Sequence, residues 1–268
     1  MTFATVSRRS ALALALGLAA FAAPAHAGTL ETIKERGALL VAIDVSHPPY
    51  GMLDSSAKET GSDVETAKLL ADDLGVKLQV VQVSGANRVP FLLSGKADVV
   101  IASFSITEER KKVVAYSKPY GVVPVVVSAP KDATIAKPED LDGKTIAVAR
   151  GTTADIELTK VTKASAPGAR VVRYEDEATA NAAVATGQQD ILAAALSTAN
   201  AVRDANPGKN LEVKLTMAAY PMAIGLRKND EAFQAKLDEW VSANLKNGKL
   251  NGIYQKYFGM ALPAEFTN

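Results

Sequence analysis

Apolar and polar positions follow two rhythms along this chain. Short apolar or β-branched runs predict strands: LLVAI (39–43), KLQVVQV (77–83), residues 98–101, VPVVVS (123–128), KTIAVA (144–149), ARVVR (169–173), DILAA (190–194) and MAIGL (222–226). Several are apolar at every position, as strands covered on both faces are. Helix-period segments lie between them. In 62–74, Val64, Ala67, Leu70, Ala71 and Leu74 share one face, and Gly75 is placed to end the helix. Near the C-terminus Phe233, Leu237, Trp240, Val241 and Leu245 form a second stripe, closed by Gly248, which reads as core packing. Strand and helix in alternation predict an α/β architecture with mainly parallel sheets. No fixed period repeats and no low-complexity linker divides the chain. Two extended, Pro-containing segments, PYGVVP (119–124) and AAYPM (218–222), mark candidate crossovers. They predict one lobe from 28–121 with 221–268 and a second from 122–220, with a cleft between them where ligand sites tend to lie.

The N-terminus changes the picture of where such a fold would work. Arg8 and Arg9 precede an apolar run (11–23) and the small-residue stretch Ala25-His26-Ala27, which predicts a secretory signal, residues 1–27, cleaved after Ala27, and a periplasmic product. The stretch SRRS (7–10) also resembles a twin-arginine signal, so two export routes stay open. No run reaches the length of a membrane-spanning helix. The chain has no cysteine, so disulfides, thiolate metal sites and a thiol nucleophile are excluded. A chain of this length buries a core without such staples. Beyond the signal His47 is the one histidine, and neither a metal nor a cofactor is expected. Loss of Arg8 and Arg9 turns the formal charge from +1 to −1, which argues against a nucleic-acid or anionic-membrane partner.

Two strand-to-helix turns carry the candidate chemistry. In ASFSITEERKK (102–112) Arg110 stands in a first turn, where the helix dipole favours Glu108 and Glu109 instead. Ser105-x-x-Glu108 fits a capping box there. In RGTTAD (150–155) Thr152-x-x-Asp155 fits another, and a helix start with free N–H groups suits an anion.

The motifs LLVAIDVSHPPYGM, GSDVETAKLLADDLGV, GANRVPFLLSGKADVVIASFSITEERKKVVAYSKPY, LDGKTIAVARGTTAD, ATGQQD, AIGLRKND and NGKLNGIYQKYFG stand in that order. Together they resemble the periplasmic solute-binding proteins of polar amino-acid ABC transporters, the bacterial extracellular solute-binding protein family 3, over most of residues 30–260. The resemblance implies a two-lobed periplasmic-binding-protein fold (type II), two hinge strands, and a monomer that delivers a small carboxylate, most often an amino acid, to a membrane permease and ATPase complex. It also implies site residues. Arg110 matches the arginine that holds the ligand α-carboxylate, a task suited to a permanently charged planar fork of donors. Ser103 and Ser105 lie beside it, and Gly151, Thr152 and Thr153 would clamp the carboxylate from the second lobe. In DVSHPPYG, which carries Asp44, an aromatic lies against the ligand's aliphatic part, and His47 or Tyr50 takes that place. Arg88 either matches the arginine that faces a side-chain carboxylate in acidic-amino-acid members or forms a structural ion pair on its helix, 86–94.

One departure bears on the ligand. After GQQD the family usually places an acid that pairs with the ligand ammonium, and here that position falls at about Ala195. A buried ammonium without a counter-charge costs several kcal/mol. Either Asp44 or Asp176 takes over and the ligand is a polar or acidic amino acid, or the ligand is an amine-free organic acid. Ser197, Thr198 and Asn200 can supply neutral hydrogen bonds or a helix cap. Ser62, where an aromatic or aliphatic residue is usual, would alter packing only. A binding protein rather than an enzyme is expected, because no nucleophile–base constellation is visible. A dehydratase-like enzyme on the same fold and a receptor subunit remain the alternatives.

Overall fold

The computed structural model describes residues 28–267, so the expected signal segment lies outside the described residues. In chain order the strands are β1 (Ala38–Ile43), the short pair β2 (Met52–Leu53) and β3 (Glu59–Thr60), β4 (Lys77–Gln82), β5 (Val99–Val100), β6 (Val114–Tyr116), β7 (Gly121–Pro130), β8 (Thr145–Ala149), β9 (Arg170–Tyr174), β10 (Leu192–Ala195), β11 (Leu211–Met222) and β12 (Gly225–Arg227). The helices are α1 (Thr29–Arg36), α2 (Ser62–Leu74), α3 (Arg88–Leu93), α4 (Glu108–Lys111), α5 (Thr153–Ser165), α6 (Glu177–Ala185), α7 (Leu196–Ala205), α8 (Glu231–Lys246), α9 (Lys249–Phe258) and α10 (Ala264–Thr267). Among the described residues no helix is long and apolar enough to cross a membrane.

The strands form two five-stranded sheets, ordered β4-β1-β5-β12-β6 and β11-β7-β10-β8-β9, which are the cores of two α/β lobes. Parallel pairing links β4-β1-β5 in the first and β10-β8-β9 in the second. The expectation of mainly parallel sheets needs qualification, because β12 and β7 each run against both of their neighbours. The reason is positional. Each of these strands starts where the chain has just passed from one sheet to the other, so it runs away from the junction while the others run toward it. The carboxyl ends of the parallel strands therefore face the junction, the edge where open α/β sheets place their ligands.

The helix patterns follow the sequence closely. In α2, Val64, Ala67, Leu70 and Ala71 are buried, and Gly75 ends the helix in the left-handed region with its N–H on Ala71 O and Asp72 O. In α8, Phe233, Leu237, Trp240 and Val241 are buried as the stripe requires. Gly248 closes α8 as expected: the helix stops at Lys246, Asn247 caps it, and Gly248, at φ +79° with its N–H on Leu245 O (3.1 Å), turns the chain into α9. Strands β6 and β11 have no counterpart in the apolar runs. The former is three residues long, and β11 carries Glu212 and Lys214 and slips register twice, so its pattern lacks a clean period of two.

The two passages between the sheets are bound to one another. Strands β7 and β11 pair from Pro130↔Leu211 to Gly121↔Met222. The pairing continues through Tyr120 N–H to Met222 O (3.0 Å) and Ser117 N–H to Ile224 O (2.9 Å). The segment before α4 joins the same passage: Ile106 N–H donates to Pro221 O (2.8 Å) and Ala223 N–H to Phe104 O (3.1 Å). Phe104 is fully buried and stacks on Tyr116 at 5.3 Å between ring centroids. Gly225 faces that ring, and a Cβ there would lie 2.5 Å from Phe104 Cε1. Overpacking a closed core costs about 1–3 kcal/mol. Gly225→Ala should therefore lower the unfolding free energy by that amount, read as a lower urea midpoint at unchanged m; an unchanged midpoint would show that the ring can retreat.

Candidate functional site

The sheet edges that face the junction present their turns to one another, and the charged side chains meet there. From the first lobe come the turn after β1 (Asp44, His47), the start of α3 (Arg88), the turn after β5 (Ser103, Ser105) and α4 (Arg110). From the second come the turn after β8 (Gly151, Thr152, Thr153), the start of α6 (Glu177) and the end of β10 (Ala195).

Arg110 is 8% exposed. Its guanidinium lies 4.7 Å from the centre of the Phe104 ring, a cation–π contact. Nη1 donates to Ser105 O (3.0 Å) and Nη2 crosses the junction to Gly151 O (3.1 Å). Both acceptors are neutral carbonyls, and among the described residues no Asp or Glu forms an ion pair with this group. Burial and the nearby Arg88 bring its pKa down to about 10, so it stays charged at neutral pH. The expected capping box at Ser105 is not formed. The N-cap is Thr107, whose Oγ1 accepts from Arg110 N–H (3.2 Å), because the bond from Ile106 to Pro221 keeps the chain extended past Ser105. A helix of one turn also has little dipole for Arg110 to oppose.

Thr152 caps α5, its hydroxyl accepting from Asp155 N–H (3.2 Å) and donating to Ala149 O (2.9 Å). The reciprocal half of that box is displaced: Asp155 Oδ2 accepts from Gly151 N–H, and its Oδ1 holds Arg173. With the Thr152 hydroxyl so engaged, Thr153 is the side chain that reaches across, its Oγ1 3.2 Å from Ser105 Oγ. The first turn of α5 offers N–H groups without intrahelical acceptors beside it. Gly151, at φ +75°, lies so close to the other lobe that a Cβ would come within 2.8 Å of the Ala86 Cα.

A second cluster adjoins the first. Arg88 is 2% exposed and its Nη2 donates to Asp44 Oδ2 (3.0 Å) and, across the junction, to Glu177 Oε1 (3.3 Å). Of the two readings of Arg88, the ion pair is what the structure displays, with partners on other elements rather than along its own helix. Burial pushes the Asp44 carboxyl up, but Arg88, His47 and Ser46 outweigh it and hold the group below its usual value. Glu177 is pushed up to about 8 by burial and by the Asp44 carboxylate beside it. His47 Nδ1 lies 3.2 Å from Ser103 Oγ and 3.6 Å from Glu177 Oε1; burial brings its pKa down to about 4, so the ring is neutral. Ser103, held at φ +44°, donates its N–H to Asp63 Oδ2 (2.7 Å).

The junction holds a cavity of about 20 Å³, lined by His47, Arg88, Ser103, Thr152, Thr153, Glu177 and Ala195 among others, while Asp44, Ser105, Arg110 and Gly151 stand outside its lining. That is room for about one water molecule. A larger surface concavity, about 790 Å³, lies beside Lys144, Arg170 and Asp190 and shares no residue with this cluster. The junction is the candidate site because buried charges from two lobes converge there, not because of volume.

Some residues singled out from the sequence lie elsewhere. Tyr50 is packed between His47 and Phe258, at 4.8 and 5.1 Å between centroids, behind the cavity wall, so of the two aromatics only His47 lines it. Asp176 is the N-cap of α6 and spends Oδ1 on Thr179. Thr198 Oγ1 donates to Pro48 O (3.3 Å), a neutral bond across the junction. The acid that does reach the site, Glu177, was not among the sequence candidates. A first-turn Glu reads as an ordinary dipole complement, and nothing local marks its face as buried.

Asp63 supplies a pH test. Burial pushes its pKa up to about 7 from an ordinary 3.8, so the folded state keeps a proton that the unfolded chain releases. The stability this contributes is present below about pH 4 and is lost as the pH rises to about 7. Asp63→Asn removes the titration. Unfolding free energies measured from pH 4 to 8 should shift steadily in favour of the variant as pH rises; a constant difference would contradict the assignment.

With this geometry in place, the relatives are informative. The L-cystine-binding protein TcyJ of Escherichia coli (strain K12) is 30% identical over 241 residues, covering 88% of each chain. Among solved structures, a mutant of ArgBP from T. maritima is similar with a TM-score of 0.79 and 34% identity, over 87% of this chain and 100% of that one. The ancestral amino-acid-binding protein AncCDT-1, a precursor of cyclohexadienyl dehydratase, has a TM-score of 0.77 and 30% identity over 86% and 99%. The model of the bacterial extracellular solute-binding proteins, family 3, matches residues 39–260, and the chain belongs to that family.

Proposed function

We propose that this chain is the binding component of an ABC importer and captures an amino acid by its α-carboxylate between the two lobes. The observation that carries the reading is Arg110, a buried cation at the lobe junction whose recorded hydrogen-bond acceptors are neutral carbonyls. A ligand carboxylate supplies the missing anion. It would exchange Ser105 O and Gly151 O for its own oxygens and accept from the hydroxyls of Ser105 and Thr153 and the first turn of α5. Those donors belong to both lobes, so the ligand favours the closed arrangement by its differential contacts. A cavity of about 20 Å³ cannot admit a free amino acid, so entry requires the lobes to part. In this reading residues 28–121 with 221–268 move against 122–220, and the loaded monomer docks on a permease and ATPase complex after export and cleavage behind Ala27. The names of the relatives support an amino acid as cargo. A dehydratase-like reaction is the second reading, favoured by the Glu177 carboxyl, which is pushed up to about 8 and can hold a proton for transfer. Product formed from prephenate would establish it.

A thermal-shift screen against the twenty proteinogenic L-amino acids, L-cystine and amine-free carboxylates tests the binding reading. A compound at 1,000 times its Kd should add about 4 kcal/mol of stability. Arg110→Met keeps an apolar stem against Phe104 and removes the charge. It should weaken the best amino acid by about 3–5 kcal/mol, the scale for breaking a buried charge pair. Unchanged affinity in calorimetry would remove Arg110 from the site.

A further inference from the structure

Glu177 has no use in a site that reads only a carboxylate. It is 4% exposed at the first position of α6, in the second lobe. Oε1 meets Arg88 Nη2 (3.3 Å) and stands near His47, and both partners belong to the first lobe. Oε2 is buried and has no hydrogen-bond partner among the described residues. Arg88 is placed differently. Its shorter contact, 3.0 Å, is to Asp44 in its own lobe, so it keeps a counter-ion however far the lobes separate. Glu177 has no such reserve, since among the described residues both of its ion-pair contacts cross the junction.

Counting charges by lobe then leaves two unbalanced. The pair Arg88–Asp44 is neutral as a unit and His47 is uncharged. Arg110 remains as a cation on the first lobe, and on the second remains Glu177, whose carboxyl is pushed up to about 8 by burial and Asp44, so that it gives up its proton fully only to a cation that reaches it. A cation on one lobe and an ionisable carboxyl on the other, both buried at the same junction, are the two groups a zwitterion calls for. Ala195, on the same cavity wall, contributes only a methyl group. We propose that Glu177 takes the ammonium group of the amino acid, releasing Arg88 to Asp44, so that the site selects zwitterions over amine-free carboxylates of the same shape. The proposal rests on Arg110 as the carboxylate clamp. It separates the two ligand classes, because an amine-free acid brings no cation and leaves the buried Glu177 Oε2 without a partner.

The probes are the L-amino acid, among the twenty and L-cystine, that raises the wild-type melting temperature most, and the des-amino carboxylic acid with the same side chain. Calorimetric titration of wild type should give at least a hundredfold preference for the amino acid. Glu177→Gln should lose that preference by weakening the amino acid about a hundredfold while leaving its des-amino partner within about threefold, and Glu177→Asp should restore part of it. A merely structural role for Glu177 would weaken both probes alike, and that result overturns the proposal. So does a wild type that binds both probes equally, or one stabilised by amine-free acids alone; either leaves the Arg110 reading intact. If no carboxylate of either kind shifts the wild type, both readings fall. The wild-type preference needs no variant, so the test survives poor folding of Glu177→Gln.

Discussion

A guanidinium taken out of water needs an anion or a full set of acceptors, and the candidate site is organised around that requirement at Arg110. Two neutral carbonyls and the face of Phe104 hold the group without balancing its charge. One of the carbonyls, Gly151 O, belongs to the opposite lobe, so the quality of its solvation depends on how the lobes sit. On the proposed reading, a carboxylate that enters improves the surroundings of Arg110 and rearranges a contact across the junction in the same step, which makes capture and closure one electrostatic event rather than two.

The fold makes this coupling possible through chain direction. In each sheet the parallel strands run toward the junction and end there, which places six turns from two lobes within reach of each other. The strands that begin at the junction, β7 and β12, run the other way and fill the interior of their sheets. Because β7 pairs with β11 through the passage itself, and residues 104–106 are bonded to Pro221 and Ala223, the segment that carries Ser105 is attached to the crossover. Movement about the crossover therefore carries Ser105 with it.

Beside this site the charges of Arg88, Asp44 and Glu177 are divided unequally between the lobes. Burial weakens every one of these ionised forms; mutual proximity restores those of Arg88 and Asp44, while Glu177 stays pushed up to about 8. The geometry leaves the first lobe self-sufficient and the second dependent on what faces it. That asymmetry is the physical basis of the proposed discrimination by charge, with the acid on α6 rather than near Ala195.

How much of this was legible beforehand follows from how local each signal is. The stripes on α2 and α8, the buried strands and the turn carrying Arg110 are written in neighbouring residues, because helix period, burial and capping act over a few positions. Thr107 rather than Ser105 caps α4 because a distant strand holds Ile106 extended, a constraint no short window contains. The same applies to Tyr50, which packs on Phe258. It applies most to Glu177, whose meeting with Arg88 spans 89 residues of chain. By itself the sequence determined the α/β class and the family. Only the tertiary structure decided which acid reaches Arg88 from the other lobe, since charge pairing across a cleft depends on distance in space and leaves no mark in local order.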